Sequence, residues 1–130
     1  MEKPAAGFRL TGVNHVVYPV RDVGRSLSFY RDVLGIKQVP VMQPDVNPDR
    51  MVWLRLPSGT MLHLIRSQNV PAPHPIHIAF EVTDFDETAR AVKECRLEVL
   101  DSGRRNDGQR YLFLHDPDGN RVELCTPSGF

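Results

Sequence analysis

Residues 15–23 read His-Val-Val-Tyr-Pro-Val-Arg-Asp-Val, and residues 77–85 read His-Ile-Ala-Phe-Glu-Val-Thr-Asp-Phe. Laid over one another, the two stretches share the histidine, a valine and the aspartate, and most of their apolar positions agree. A second pair extends the match. Residues 54–64, Leu-Arg-Leu-Pro-Ser-Gly-Thr-Met-Leu-His-Leu, align with residues 114–124, Leu-His-Asp-Pro-Asp-Gly-Asn-Arg-Val-Glu-Leu, which sets His63 over Glu123. The copies stand about 60 residues apart, a period that marks a repeated supersecondary unit. One unit is too short to bury both faces of a sheet alone, so the two copies are expected to pack as one body. Equivalent positions then meet near a pseudo-symmetry axis. His15, His63, His77 and Glu123 become candidates for one shared site.

Each copy punctuates its elements in the same order. In the first, a strand is expected around Val13 to Val17, then a helix from Val23 to Leu34 with Asp22 as N-cap and Gly35 as stop. Leu27, Tyr30 and Leu34 recur at helical spacing and are expected to face a sheet. A strand at Ile36 to Val41 and a loop broken by Pro40, Pro44 and Pro48 follow, then two strands, Met51 to Leu56 and Met61 to Arg66. Pro71-Ala72-Pro73-His74-Pro75 reads as a stiff linker. The second copy predicts a strand at Ile76 to Val82 and a helix at Phe85 to Cys95, where Asp84 and Glu87 form a capping-box-like start. A strand near Glu98 to Asp101 and a polar loop at Ser102 to Gln109 come next. Arg110 to Leu114 and Arg121 to Cys125 form a last hairpin around Asp116-Pro117-Asp118-Gly119. The pattern predicts an α+β fold, with helices on one sheet face and a cavity on the other. A single domain over residues 1–130 is expected, its two βαβββ modules spanning about 10–70 and 75–127.

Strand alternation orients the candidates. Met61, His63 and Ile65 share one face, as do Arg121, Glu123 and Cys125, while Leu62, Leu64, Val122 and Leu124 point to the helices. Imidazole and carboxylate suit divalent transition metals, and two histidines with one carboxylate make an open-sided ligand set. Arg110 and Tyr111 are candidates for anchoring an anionic substrate from the wall of the cavity. His74 sits between prolines and reads as solvated, and His115 beside the Asp116-Pro117 turn reads as a turn residue. Asp116-Pro117-Asp118-Gly119 lacks the further oxygen ligands of a calcium loop and reads as a turn. Nothing near Cys125 marks it as a nucleophile.

The bulk composition removes several function classes. Sixteen basic and sixteen acidic residues balance, with no basic block, so nucleic acid is not the expected partner. No apolar run approaches the roughly 20 residues needed to cross a bilayer, and residues 1–7 lack the apolar core of a secretion signal. Cys95 and Cys125 give no disulfide framework, so a cytoplasmic protein with reduced cysteines is expected.

The chain resembles the vicinal oxygen chelate superfamily, which includes glyoxalase, methylmalonyl-CoA epimerase, fosfomycin resistance enzymes, extradiol dioxygenases and bleomycin resistance proteins. The resemblance runs from about Leu10 to Pro127. It is carried by Asn14-His15, by Ser26-Leu27-Ser28-Phe29-Tyr30-Arg31-Asp32-Val33-Leu34-Gly35, by His77, and by Asp116-Pro117-Asp118-Gly119-Asn120-Arg121-Val122-Glu123. It implies paired βαβββ modules whose curved eight-stranded sheet cups a divalent metal (Zn, Ni, Fe, Mn or Co), with helices on the outer face. The implied metal ligands are His15, His63, His77 and Glu123. It also implies a homodimer, in several relatives with the cup closed by modules of different chains; a stiff linker favours that exchange here.

The expected activity is metal-dependent chemistry on a small substrate that chelates the metal through neighbouring oxygens. A glyoxalase-like isomerase, lyase or epimerase, with Glu123 as catalytic base, is the leading expectation. His63 stands where the best-known glyoxalases carry glutamate, which argues against hemithioacetal isomerisation of methylglyoxal. An Fe(II) dioxygenase using His15, His77 and Glu123 is the alternative. A non-catalytic drug-binding module is a third reading, weakened because such modules generally lack the metal residues. A fosfomycin-type transferase is compatible with the motifs, although no clear potassium loop is present.

Overall fold

The computed structural model describes residues 7–70 and 75–129; positions 71–74 of the expected linker, with His74, lie outside the described residues. Within these, the first module runs β1 (His15–Val20), α1 (Val23–Leu27), a π-helical turn (Ser28–Val33), β2 (Lys37–Val39), β3 (Met51–Arg55) and β4 (Met61–Arg66). The second runs β5 (His77–Glu81), α2 (Phe85–Glu94), β6 (Asp101–Arg104), β7 (Arg110–His115) and β8 (Arg121–Cys125). The strands form two four-stranded sheets of identical topology, β1-β4-β3-β2 and β5-β8-β7-β6. In each, the first strand runs parallel to the last and the remaining pairs are antiparallel. The repeat read from the sequence is thus a repeat in three dimensions. The fold is the expected α+β arrangement, with its eight strands divided between two four-stranded sheets and not joined in one eight-stranded sheet.

The elements depart from expectation where local chemistry intervenes. Strand β1 starts two residues later than expected and continues through Pro19 to Val20. It lies at a sheet edge, paired only with β4, where a missing N–H costs little. The first helix does not stay α-helical to Leu34. It widens after Leu27, and the Leu34 amide bonds the Phe29 carbonyl five residues back (2.9 Å). A regular α-helix turns successive side chains about 100° apart; the wider turn buries adjacent Phe29 and Tyr30 together. Strand β2 is only three residues long and stops before Pro40. Strand β6 occupies Asp101–Arg104 and not Glu98 to Asp101, because its ladder partner is Arg110–Phe113 of β7. Its residues are exposed and polar, so no hydrophobic alternation announced it.

One apolar cluster joins both modules, including Val20, Tyr30, Leu54, Leu62 and Leu64 from the first and Phe80, Leu114, Val122 and Leu124 from the second. A buried polar network locks the seam. Asp116, at the Asp-Pro-Asp-Gly turn, accepts the Tyr30 hydroxyl (2.7 Å), the Asn120 side-chain amide (2.9 Å) and the backbone N–H groups of Asp118 (2.9 Å) and Asn120 (2.8 Å). Asn120 also donates to the Pro19 carbonyl (2.9 Å), and Arg25 pairs with Asp118 (2.8 Å). Tyr18 bridges the modules a second time. Its hydroxyl donates to the Arg121 carbonyl and accepts from the Ile78 amide (2.8 Å). Gly119 closes the turn at φ +84°, a conformation that side-chain-bearing residues adopt only under strain.

Candidate functional site

The face of each sheet turned from the helices carries the four residues singled out by the repeat. In the first module, His63 on β4 lies between two rings, stacking on Trp53 of β3 (4.3 Å between centroids) and on His15 of β1 (4.1 Å). Register explains the order, since Trp53 is the direct cross-strand partner of His63 and His15 lies diagonally across the parallel ladder. His63 is buried, and its Nε2 has no hydrogen-bond partner. Burial, followed by the neighbouring His15, pulls its pKa below the ordinary histidine value. A neutral imidazole with a free, buried nitrogen results.

In the second module, Glu123 on β8 is 3% exposed and engages both carboxylate oxygens. Its Oε1 lies 3.1 Å from His77 Nε2, and its Oε2 accepts from Arg105 Nη1 at 2.8 Å. Phe113 of β7 meets the His77 ring edge-on (5.1 Å) and carries the Arg121 guanidinium on its face (4.1 Å).

His15 and His77 are oriented alike. The Nδ1 of His15 meets the Asn14 side-chain oxygen at 2.7 Å, and the Nδ1 of His77 meets the Pro75 carbonyl at 2.8 Å. An oxygen acceptor at Nδ1 suits a proton there and leaves Nε2 as the nitrogen available to a metal, the usual arrangement behind a metal-bound imidazole. For His77, Nε2 lies 3.1 Å from Glu123 Oε1, a separation at which the pair can share a proton or flank a metal ion. In a tetrahedral site with bonds of about 2.0–2.1 Å, neighbouring donors stand about 3.3 Å apart. The donor set and its spacing fit a divalent metal.

A single chain does not gather the four residues. They form two pairs, His15 with His63 and His77 with Glu123, and among the described residues no three His, Cys, Asp or Glu side chains converge to hold a metal ion. The other residues singled out in the sequence divide. Tyr111 is on the cup side, beneath the Arg105 guanidinium (4.1 Å). Arg110 is on the opposite side, paired with Asp86 (2.9 Å) and lying over Phe85 (4.3 Å) of α2, so it serves the helix contact and not the cup wall. His115 is exposed at the end of β7. Cys125 is buried two residues beyond Glu123, and burial, then the Glu123 charge, pushes its thiol pKa up, which keeps it protonated. Arg105 and Trp53 escaped the sequence reading. Trp53 was accessible through strand alternation opposite His63; nothing distinguished Arg105 from Arg104 in a polar stretch.

A cavity of about 540 Å³ lies on the helix side between the modules, lined among others by Ile36, Phe80, Val92 and Leu124. None of the four candidate ligands borders it. The candidate ligands therefore lie apart from this cavity.

Comparison with known proteins agrees with this architecture. The family model of the glyoxalase/bleomycin resistance protein/dioxygenase superfamily matches residues 12–124. A metallothiol transferase FosB from Staphylococcus haemolyticus is 30% identical over 127 residues, covering 92% of this chain and 86% of the relative. A protein named glyoxylase I 4 from Arabidopsis thaliana is 29% identical over 129 residues, covering 92% and 72%. Among solved structures, a glyoxalase family protein from Bacillus anthracis superposes with a TM-score of 0.78 at 24% identity, covering 93% of this chain and 98% of that one.

Proposed function

Because the chain belongs to the glyoxalase/bleomycin resistance protein/dioxygenase superfamily, we propose that it is a metal-dependent enzyme whose site is completed between two copies. His15 and His63 of one copy face His77 and Glu123 of the other. The observation that carries this reading is the division of the ligand residues into two half-sites, each with pre-oriented donors. The first half-site also presents an apolar surface, with Val17 45% and Ile65 37% exposed on the face that bears His15 and His63. A second copy would cover it. His15, His77 and Glu123 hold the metal, with His63 as a fourth donor.

A divalent metal held there supplies Lewis-acid polarisation of neighbouring substrate oxygens. The protein contributes the rest. Trp53, Phe113 and Tyr111 wall the cup with aromatic surface and exclude water from it. Glu123, engaged on both oxygens, is a ligand in this proposal and not the mobile base that a proton-shuttling isomerase requires. The reading therefore favours transfer of an external thiol to an electrophilic carbon of a chelated substrate over isomerisation. The name of the metallothiol transferase relative supports the same choice.

The test is incubation of metal-loaded protein with a small thiol and a panel of epoxides bearing neighbouring oxygens, followed by mass spectrometry. A thioether product whose mass is the sum of the reactants is expected. Substrate isomerisation at constant mass, with solvent deuterium incorporated beside a carbonyl, would restore the lyase or isomerase reading, and oxygen uptake with Fe(II) the dioxygenase reading.

A further inference from the structure

Arg105 holds Glu123 by Oε2, the oxygen other than the one that meets His77. Its Nη1 bonds Glu123 Oε2 at 2.8 Å and the Gln109 side-chain oxygen at 2.8 Å, and its guanidinium lies flat on Tyr111. The loop that bears it is itself anchored. The Arg105 amide bonds the Gln109 carbonyl (2.8 Å), Gln109 donates to the Thr126 carbonyl (2.9 Å), and Asp107 accepts from the amides of Gln109 (3.0 Å) and Gly129 (2.9 Å). These contacts tie residues 105–109 to the segment that follows β8. Tyr111 in turn can lie across β6 because Gly103 is its cross-strand partner, and a Cβ there would come within 2.8 Å of the tyrosine oxygen. Arg105 is thus fixed at three points: below by an aromatic ring, at one side by an amide, and in front by the buried carboxylate.

We propose that Arg105 is a positioning residue for the metal site. By occupying Oε2 it makes Glu123 a one-oxygen ligand and aims Oε1 at the point that His77 Nε2 also faces. A carboxylate held at one oxygen by a guanidinium cannot rotate to offer both oxygens to the same ion. The pair also keeps a buried anion compensated before metal arrives, so the half-site is preformed in the free chain. This inference rests on the reading of Glu123 as a metal ligand. It adds that the loop between β6 and β7, through Arg105, sets the geometry of that ligand.

The experiment compares the full-length protein with Arg105→Ala and Arg105→Lys, using Co(II) as probe. Affinity is read by titration and coordination by the visible absorption spectrum. Arg105→Ala is expected to weaken Co(II) binding about 10- to 100-fold and to lower the intensity of its visible bands as Glu123 becomes bidentate. Added guanidinium ion should restore both in Arg105→Ala, while Arg105→Lys, lacking the planar group that stacks on Tyr111, should recover only part of the affinity. Far-ultraviolet circular dichroism verifies that each variant is folded. Unchanged affinity and spectrum in folded Arg105→Ala would overturn the positioning role, as would tighter binding, which would make Arg105 a competitor of the metal. Failure of the wild-type protein to bind Co(II) would instead overturn the metal-site reading on which the inference stands.

Discussion

Replacing Glu123 with alanine should reduce bound divalent metal from about one ion per chain to less than about a tenth of that, measured by elemental analysis after dialysis. Glu123 is the only carboxylate among the four candidate ligands, and its charge offsets the ion directly. It is also the residue whose Oε1 stands at ligand-to-ligand distance from His77 Nε2. Loss of the carboxylate leaves three imidazoles and strands Arg105, whose positive charge then opposes an incoming cation. Glu123→Gln separates charge from shape, since the amide fills the same space without the charge. It should lose nearly as much metal. His63→Ala should lose less, because three donors remain. Full occupancy in folded Glu123→Ala would show that the metal, if bound, is held elsewhere.

Asp116→Ala should be the most destabilising single change outside the apolar core, costing about 3 kcal/mol or more in chemical denaturation at fixed protein concentration. Four donors converge on that one carboxylate, two of them backbone amides, in a position 5% exposed. Removing the acceptor takes away the Asp116 partner of the buried Tyr30 hydroxyl and of the Asn120 backbone N–H, and leaves the Asn120 side chain with Pro19 alone. Burial, followed by the Asp116 charge, pushes the Tyr30 pKa strongly upward. Asp116→Asn keeps one acceptor oxygen but sets an NH2 group against the donors on the other side, so it should recover only part of the loss. A loss below about 1 kcal/mol in Asp116→Ala would mean that the seam is held by apolar packing alone.

The repeat made most of the fold legible. Two copies of strand, helix and three strands could be placed because His15 and His77 open equivalent strands and because Leu62, Leu64, Val122 and Leu124 alternate with polar neighbours. The same alternation set His63 and Glu123 on the face turned from the helices. Reading failed where the determinant was a partner and not a pattern. Strand β6 consists of exposed polar residues and exists through its ladder with β7, which no local preference encodes. The widened turn after Leu27 answers the need to bury Phe29 and Tyr30 side by side, a tertiary demand. Arg110 and Tyr111 are neighbours on β7, but consecutive strand residues face opposite ways, and the Arg110 guanidinium pairs with Asp86. Arg105 reached Glu123 from a loop, where sequence spacing carries no geometry.

The central claim is that one metal site is built from two chains, and the most direct test mixes two defective ones. A His15→Ala chain and a Glu123→Ala chain, each unable to hold metal by itself, are combined under conditions of verified subunit exchange. In a mixed dimer with shared sites, one site carries both lesions and the other carries none. Bound metal should then rise to about one quarter of the wild-type level, since half of the dimers are mixed and each has one intact site of two. Metal that stays at the level of the separate variants after complete exchange would contradict the account, because every site would then lie within a single chain.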